Sequence, residues 1–279
     1  MKRFRFRQPS IIPGFRLTFG FTLVYLSLIV LIPILGLYIK TLELTWDQFW
    51  AIVTGPRFLA ALQLSFGASL LAALFNVVIG VAIAWVLVRY TFFARRLLDA
   101  IIDLPFALPT AVAGIALTAL YVPSGWLGSL FAPLGINIAY TPIGIWIALV
   151  FIGLPFVVRT VQPVLEDFDR EVEEAAATLG AKRRTTILRV VLPPMVPAIL
   201  TGFALAFARA VGEYGSVIFI AGNIPRQTEI LPLLIVFRLE ERNYAAAAAI
   251  AAVMLTLSFI ILLLINLMQA WSNRRFGND

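Results

Sequence analysis

Long apolar windows recur along the chain and are separated by short polar or charged segments. Six of them predict transmembrane helices, because an α-helix needs about 20 apolar residues to cross a hydrocarbon core of about 30 Å. The predicted spans are residues 17–39, 62–88, 101–122, 142–161, 196–220 and 245–270. The pattern therefore predicts an all-α membrane protein built as a single six-helix bundle.

The first window follows a basic segment, MKRFRFRQ, that is similar to the start of a secretory signal peptide. However, its apolar run is longer than a typical signal core, and the exit LYIKTLEL offers no small-x-small cleavage site. We therefore interpret it as a retained first helix. This interpretation divides the chain into a basic arm at residues 1–16, a transmembrane domain at residues 17–270 and a short tail at residues 271–279.

Lys and Arg residues are distributed unevenly between the two sides of the predicted bundle. With the N-terminus in the cytoplasm, sixteen of the 22 lie inside and five outside, while Arg209 lies within a helix. Cytoplasmic loops of membrane proteins carry an excess of these residues. The distribution predicts that both termini are cytoplasmic, and it accounts for the net charge of +7 without a nucleic-acid partner.

The composition excludes several kinds of chemistry. The 279 residues are 61% hydrophobic and only 13% charged, against roughly 25% charged residues in soluble domains. The chain has no Cys and no His, which removes disulfides, two common metal ligands and the commonest general base. It also lacks a G-x-x-x-x-G-K-[ST] phosphate loop. We therefore predict no catalytic residue, no metal site and no bound cofactor, and an intramembrane enzyme is disfavoured.

The third predicted span contains two helix-breaking residues. Pro105 and Pro109 each remove a backbone donor, and Gly114 permits close helix contact, so this span is expected to be internal and irregular. Irregular helices at membrane depth line a cavity or pack inside the protein. The sequence gives these two interpretations equal weight.

The fifth predicted span carries two opposite charges, Arg209 and Glu213, one helical turn apart. Charges at membrane depth are costly and normally face a bundle interior, where they are paired or hydrated. The pair either lies beside a path through the membrane, or is a structural ion pair or a contact with another subunit, and the sequence favours the structural alternatives slightly.

A hydrophilic segment at residues 162–195 interrupts the apolar pattern between spans four and five. One apolar face is predicted from residues at helical spacing, namely Phe168, Val172, Ala175 or Ala176, and Leu179. Asp169 is a suitable N-cap, and Gly180 follows the periodic run, where a left-handed residue ends many helices. A second amphipathic piece runs to Pro193 and Pro194. We therefore predict two short helices joined at the glycine.

This segment, which we call the elbow, is suited to one of two surfaces. An amphipathic helix can lie on the bilayer, with Arg183 and Arg184 against anionic lipid. The first helix, however, carries six acidic residues and one base between residues 166 and 174, and anionic lipid would repel them. The charge pattern favours docking of its apolar face in a groove of another protein.

The elbow resembles the EAA loop of ABC importer permeases, in which Glu-Ala-Ala, three residues, Gly and nine more residues precede Ile-x-Leu-Pro. The matching positions are Glu174, Ala175, Ala176, Gly180, Val190, Leu192 and Pro193, with Val190 in place of isoleucine. The resemblance implies a type I (MetI-like) permease whose elbow couples it to a cytoplasmic ATPase. The residues implied in coupling are Glu173, Glu174, Ala175, Ala176, Leu179, Gly180, Leu192 and Pro193.

Residues 89–117 and 207–235 resemble the sulfate/thiosulfate permease subunits of the CysT (CysU) type. This resemblance implies a multi-pass protein of the bacterial inner membrane that forms half of a sulfate/thiosulfate channel. It also implies the partners, which are a second, CysW-like permease subunit, two copies of a CysA-like ATP-binding subunit that holds ATP and Mg, and an extracytoplasmic sulfate-binding protein.

Several points stay open at this stage. Candidates for the translocation path or gate are Pro109, Arg209, Glu213 and Ser216. The outer loop with Asn223, Arg226 and Glu229 is a re-entrant segment, a docking surface or an ordinary polar loop. Permeases for molybdate or tungstate, and more remotely for polyamines, share the elbow. A non-transporting membrane scaffold would explain the elbow but not the irregular and charged interior spans.

Overall fold

The computed structural model describes residues 14–276, and all regular structure in that range is helical. In chain order the α-helices are α1 (Phe15–Leu26), α2 (Ile32–Thr41), α3 (Trp46–Val53), α4 (Pro56–Arg89), α5 (Arg95–Ile102), α6 (Leu104–Ala107), α7 (Thr110–Tyr121), α8 (Gly128–Phe131), α9 (Pro142–Glu166), α10 (Arg170–Thr178), α11 (Arg183–Thr186), α12 (Leu192–Val211), α13 (Val217–Ile220), α14 (Leu231–Glu240) and α15 (Tyr244–Phe276). Most of the predicted basic arm, residues 1–13, and the last three residues of the tail lie outside the described residues.

Within residues 14–276, five helices are long and apolar enough to cross a membrane. They are Leu17–Thr41, Pro56–Arg89, Pro142–Glu166, Arg183–Val211 and Tyr244–Ala270. These helices match the first, second, fourth, fifth and sixth predicted spans, so the all-α membrane bundle is confirmed. The placement of both termini in the cytoplasm stays a prediction.

The third predicted span is not one helix. It is divided into α5, α6 and α7, with breaks at Asp103 and at Leu108–Pro109. Pro105 lies in the first turn of α6, where a missing N–H is tolerated, while Pro109 precedes α7 in an extended conformation. The irregularity predicted from the prolines is confirmed, but the apolar helix of this region, α7, is only 12 residues long.

The core is formed by α4, α9 and α12, whose backbones approach closely around Val157 of α9. A Cβ added to Gly80 of α4 would lie 2.8 Å from Val157 Cγ1, and one added to Gly202 of α12 would lie 2.9 Å from Val157 Cα. Val157, Val158 and Val161 are fully buried. Close approach of this kind is how apolar helices associate in lipid, where burial against another helix gains little over burial against acyl chains.

The fifth span begins earlier and ends earlier than predicted. Helix runs without interruption from Arg183 to Val211 and then stops, so Pro193 and Pro194 do not end the second half of the elbow. A π turn at Ile187–Val191 precedes them, and Pro193 stands in the first turn of α12. Since the helix is continuous here, the prolines are accommodated by the local π adjustment, which satisfies backbone groups that their missing N–H donors leave free.

A short helix that the apolar pattern did not reveal, α14, packs at the Arg57 end of α4. Its Leu231 and Leu234 are buried against Phe58 of α4 and Ile250 of α15. The loop before it is fixed by Glu229, whose side chain is fully buried and accepts from Arg57 Nε at 2.8 Å and Nη2 at 2.7 Å. The outer loop is therefore an anchored segment.

The close contact between α9 and α12 predicts that a larger residue at Gly202 destabilises the chain. Gly202→Ala should lower the thermal unfolding midpoint of the detergent-solubilised chain, with a cost of about 1–3 kcal/mol typical of overpacking. The added methyl group would meet the backbone of Val157.

Gly67→Ala is the matched control, because its Cβ would have no neighbouring atom within 4 Å. It should leave the midpoint unchanged or raise it, since alanine is the better helix former. Equal midpoints for the two variants would contradict the close contact.

Candidate functional site

The elbow is built around a left-handed glycine that closes α10. Gly180 has φ +80°, and the N–H groups of Gly180 and Ala181 donate to the carbonyls of Ala177 at 2.9 Å and Ala176 at 3.0 Å. This is the Schellman pattern of helix termination, which satisfies two carbonyls at the helix end. A Cβ at Gly180 would meet no atom within 4 Å, so the requirement for glycine is one of backbone conformation.

The apolar face of α10 is only partly covered within the chain. Phe168 packs against the core, but Val172 is 44% exposed and Leu179 is 88% exposed. Ala175 is exposed and Ala176 is half-buried. Asp169 stands at the N-cap position without a side-chain cap bond. The elbow thus presents an uncovered apolar edge that begins at Val172 and ends at Leu179.

Glu173 ties α10 to the rest of the bundle. Its carboxylate accepts from Arg89 Nη2 at 2.5 Å, and the Arg89 guanidinium also donates to the Phe168 carbonyl at 3.3 Å. The Arg89 side chain is only 9% exposed and lies over the Trp85 ring. Glu173 therefore faces its own chain, whereas Glu174 is exposed beside a cleft of about 430 Å³ next to Arg183.

The end of the motif joins the elbow to the core. Val190, Leu192 and Pro193 are half-buried in the π turn and in the first turn of α12. Val191 and Met195 beside them are buried in the core cluster. The predicted coupling residues therefore form one continuous unit that runs from an exposed edge into the centre of the bundle.

The candidate path residues meet where the fifth span breaks. After Val211 the chain leaves the helix, and Glu213, which is 2% exposed, forms an ion pair with Arg209. Its other oxygen, Oε1, accepts from Ser216 N at 2.8 Å and from Ser216 Oγ at 2.9 Å. The carboxylate thus satisfies donors that the broken helix leaves free. Both oxygens of Glu213 thus have partners within the chain, which is the arrangement expected of a structural ion pair.

Helix α7 covers this break. A Cβ at Gly114 would lie 2.7 Å from Ser216 Cα, and one at Gly215 would lie 3.0 Å from Thr110 Cβ. Pro109, at the start of α7, is exposed beside this contact. The structure therefore brings the third and fifth predicted spans together through their irregular segments.

Some residues with important contacts were not among the predicted site residues. Arg89 and Arg159 lie near the ends of apolar windows, and Glu229 lies in a polar loop. A charge at the edge of an apolar window could have indicated these arginines, because such a residue has to reach a partner or water. The sequence does not indicate which partner, because the partner can lie far along the chain. Arg57 and Glu229, for example, are 172 residues apart.

The site holds no metal-binding cluster within residues 14–276, since no three acidic side chains converge there. The described residues thus form a bundle of apolar helices, with a broken helix inside it and an uncovered amphipathic elbow at one end. The model of the family described as binding-protein-dependent transport system inner membrane component matches residues 76–278. The chain belongs to this family of ABC importer permeases, so it is a multi-pass inner-membrane transport subunit and not an enzyme.

Named relatives are similar over nearly the whole chain. The sulfate transport system permease protein CysT of Synechocystis sp. is 49% identical over 279 residues, which cover 100% of this chain and 96% of the relative. The CysT protein of Escherichia coli is 47% identical over 95% of this chain and 96% of its own. That of Synechococcus elongatus is 51% identical over 92% of each. The predicted resemblance to the CysT type is confirmed.

Solved structures show the same fold. The crystal structure of a bacterial alginate ABC transporter in complex with a pentasaccharide-bound periplasmic protein matches with a TM-score of 0.73 and 19% identity, over 94% of each chain. An inward-facing MetNI methionine ABC transporter matches with a TM-score of 0.56 and 16% identity, over 84% of this chain and 100% of the other. The MetI-like permease fold is therefore confirmed.

The ion pair of Arg209 with Glu213 predicts how stability changes when one charge or both charges are removed. Arg209→Gln should destabilise the solubilised chain by about 1–3 kcal/mol, because Glu213 then stays buried without a counter-charge. The double variant Arg209→Gln/Glu213→Gln should be more stable than the single variant. Thermal unfolding midpoints measure both.

The exposed pair of Lys40 with Glu43 is a control, and Lys40→Gln should leave the midpoint unchanged. If the single and double variants were equally unstable, the buried charge at Glu213 would not be the cause.

Proposed function

We propose that the chain forms half of the translocation pathway of an ATP-driven importer of sulfate and thiosulfate and is driven through its elbow. The observation that carries the coupling part is the geometry of α10, a short helix with an exposed apolar edge and a fixed left-handed end. The cargo is supported by the names of the relatives, which are sulfate transport permeases.

The elbow is suited to transmit force because its two sides are attached to different helices. On one side, three residues join α10 to the end of α9, and the Arg89–Glu173 pair joins it to the end of α4. On the other side, α11 continues into α12 without a break. A partner bound to Leu179 and Val172 would therefore move the three core helices α4, α9 and α12 together.

The partner that fits this edge is a cytoplasmic ATP-binding subunit with an apolar groove. The chain has no phosphate loop of its own, so ATP and Mg would be bound by two copies of that CysA-like subunit. A second, CysW-like permease would supply the other half of the pathway. The anchored loop before α14 is available to an extracytoplasmic sulfate-binding protein, since Ile224, Pro225 and Arg226 are exposed.

The break at residues 212–216 is the candidate gate. Irregular backbone is tolerated inside a membrane only where it packs in protein or lines a cavity, and this segment offers backbone amides as well as the Arg209 side chain, which is 33% exposed. Oxyanions are commonly bound by backbone N–H groups. Pro109 and Gly212 are exposed beside it and would face the second permease or the pathway.

Transport of radiolabelled sulfate into proteoliposomes tests the cargo. The chain would be reconstituted with its second permease, ATPase and binding protein, and uptake should require ATP. Excess thiosulfate should compete, and excess molybdate should not. ATP-driven uptake of molybdate or a polyamine, without uptake of sulfate, would overturn the proposed cargo.

Substitution of Gly180 tests the coupling. Gly180→Val forces a β-branched residue into a left-handed conformation. Uptake per ATP hydrolysed should fall by about 5- to 150-fold, the factor that about 1–3 kcal/mol of backbone strain represents. The subunit should still insert and assemble, because the position has open space around it.

Gly180→Asn is the matched control, since asparagine tolerates the left-handed region, and it should retain most of the uptake. Normal uptake by the valine variant would show that the turn geometry is not needed for coupling.

A further inference from the structure

Arg159 of α9 is the centre of a hydrogen-bond network that joins three segments of the chain. Its Nε and Nη2 donate to the two Asp103 carboxylate oxygens at 2.8 and 2.6 Å. Its Nη1 donates to Asp99 Oδ1 at 2.7 Å and to Gln162 Oε1 at 2.8 Å, and Nη2 also donates to the Asp99 carbonyl at 3.0 Å. All five N–H groups of the guanidinium are therefore used.

The network joins α9 to the first part of the broken third segment. Asp99 lies in α5, and Asp103 is the residue that separates α5 from α6. Apolar contacts support the same junction, since Ile102 is buried in the core and the Phe106 and Phe156 rings meet edge to face at 5.1 Å. The pair α5–α6 is thus attached to α9 by a directional polar contact and by apolar packing.

This attachment lies on a continuous route between the elbow and the break in the fifth span. Toward the elbow, α9 reaches α10 after three residues. Toward the break, α6 reaches α7 through the two extended residues Leu108 and Pro109. Helix α7 then lies against Gly215 and Ser216. Helix α7 also packs against the core cluster of α9 through Leu117. Movement of α9 can therefore reach α7 both by this apolar contact and through α5 and α6, as far as these two helices follow α9.

The exposure of the network indicates that stability is not its main role. The side chains of Arg159, Asp99 and Asp103 are 31%, 41% and 47% exposed. Ion pairs exposed to this degree contribute little to folding free energy. The planar guanidinium of Arg159, held by the Asp99 and Asp103 carboxylates, does fix the orientation of α5–α6 relative to α9. Apolar packing alone does not fix this orientation.

We propose that Arg159 is the positioning residue that makes the broken third segment follow the elbow during the transport cycle. The inference rests on the proposed coupling through α10. In this proposal Arg159 makes no contact with cargo or nucleotide. It holds α5–α6 to α9, so that displacement of α10 also displaces α7 over the break.

Two spin-label distances test this in the reconstituted complex. The chain has no Cys, so introduced cysteines carry the labels alone. One pair joins Thr178 of α10 to Ile260 of α15, and the other joins Ala119 of α7 to Ile260, all three being exposed positions. On addition of ATP with vanadate, both distances should change in the parent protein.

In Arg159→Gln the α10 distance should still change, whereas the change in the α7 distance should fall to less than half. Sulfate uptake should fall about tenfold at similar ATP hydrolysis, as expected for loss of one member of a coupling network. The swapped pair Arg159→Asp/Asp103→Arg should restore the α7 change. Arg159→Lys should restore only part of it, because lysine lacks the fork.

Arg238→Gln is the matched control, since Arg238 forms an ion pair with Glu241 and is 30% exposed. It should change neither distance response. An unchanged α7 response in Arg159→Gln, or equal loss of both responses, would overturn the proposal. A parent complex that shows both movements but imports no sulfate would refute the cargo and leave the role of Arg159 intact.

Discussion

The close contact of three helix backbones around Val157 is the constraint on which the rest of the structure depends. Gly80 and Gly202 allow α4 and α12 to reach α9 at this point. A bilayer provides little hydrophobic force between apolar helices, so the bundle depends on such contacts and on a few polar ones. Because α9 leads to the elbow and α12 ends at the break, the contact sets the positions of both candidate functional regions.

The polar contacts follow one physical rule. Glu229 is bound where α14 begins, Glu173 where α4 ends, and Glu213 where α12 stops. Each carboxylate lies at a helix end or break, where unpaired backbone groups and nearby cations make a buried charge tolerable. These three carboxylates therefore mark points at which helices of this protein begin, end or break, whereas the Arg159 network lies along the side of α9.

Local features of the fold were predictable from the sequence, and distant partnerships were not. Hydropathy predicted five of the spans, and the position of Gly180 predicted the helix end that the structure shows. The prolines of the third span predicted its irregularity. The effect of Pro193 was misjudged, because the helix continues through it directly after a π turn, and hydropathy gives no sign of such a turn. The two aspartate partners of Arg159 lie 56 and 60 residues away, so no local pattern reveals them.

The exposed edge of the elbow has a consequence for the subunit before it is assembled. Leu179 keeps 88% of its surface in contact with solvent and is held there by a rigid turn, so it cannot fold back against its own chain. A copy without its ATPase would therefore present a fixed hydrophobic point to chaperones and proteases, which recognise such surfaces and remove the proteins that carry them. In the proposed coupling, the side chain that docks on the ATPase would thus also make an unassembled permease short-lived.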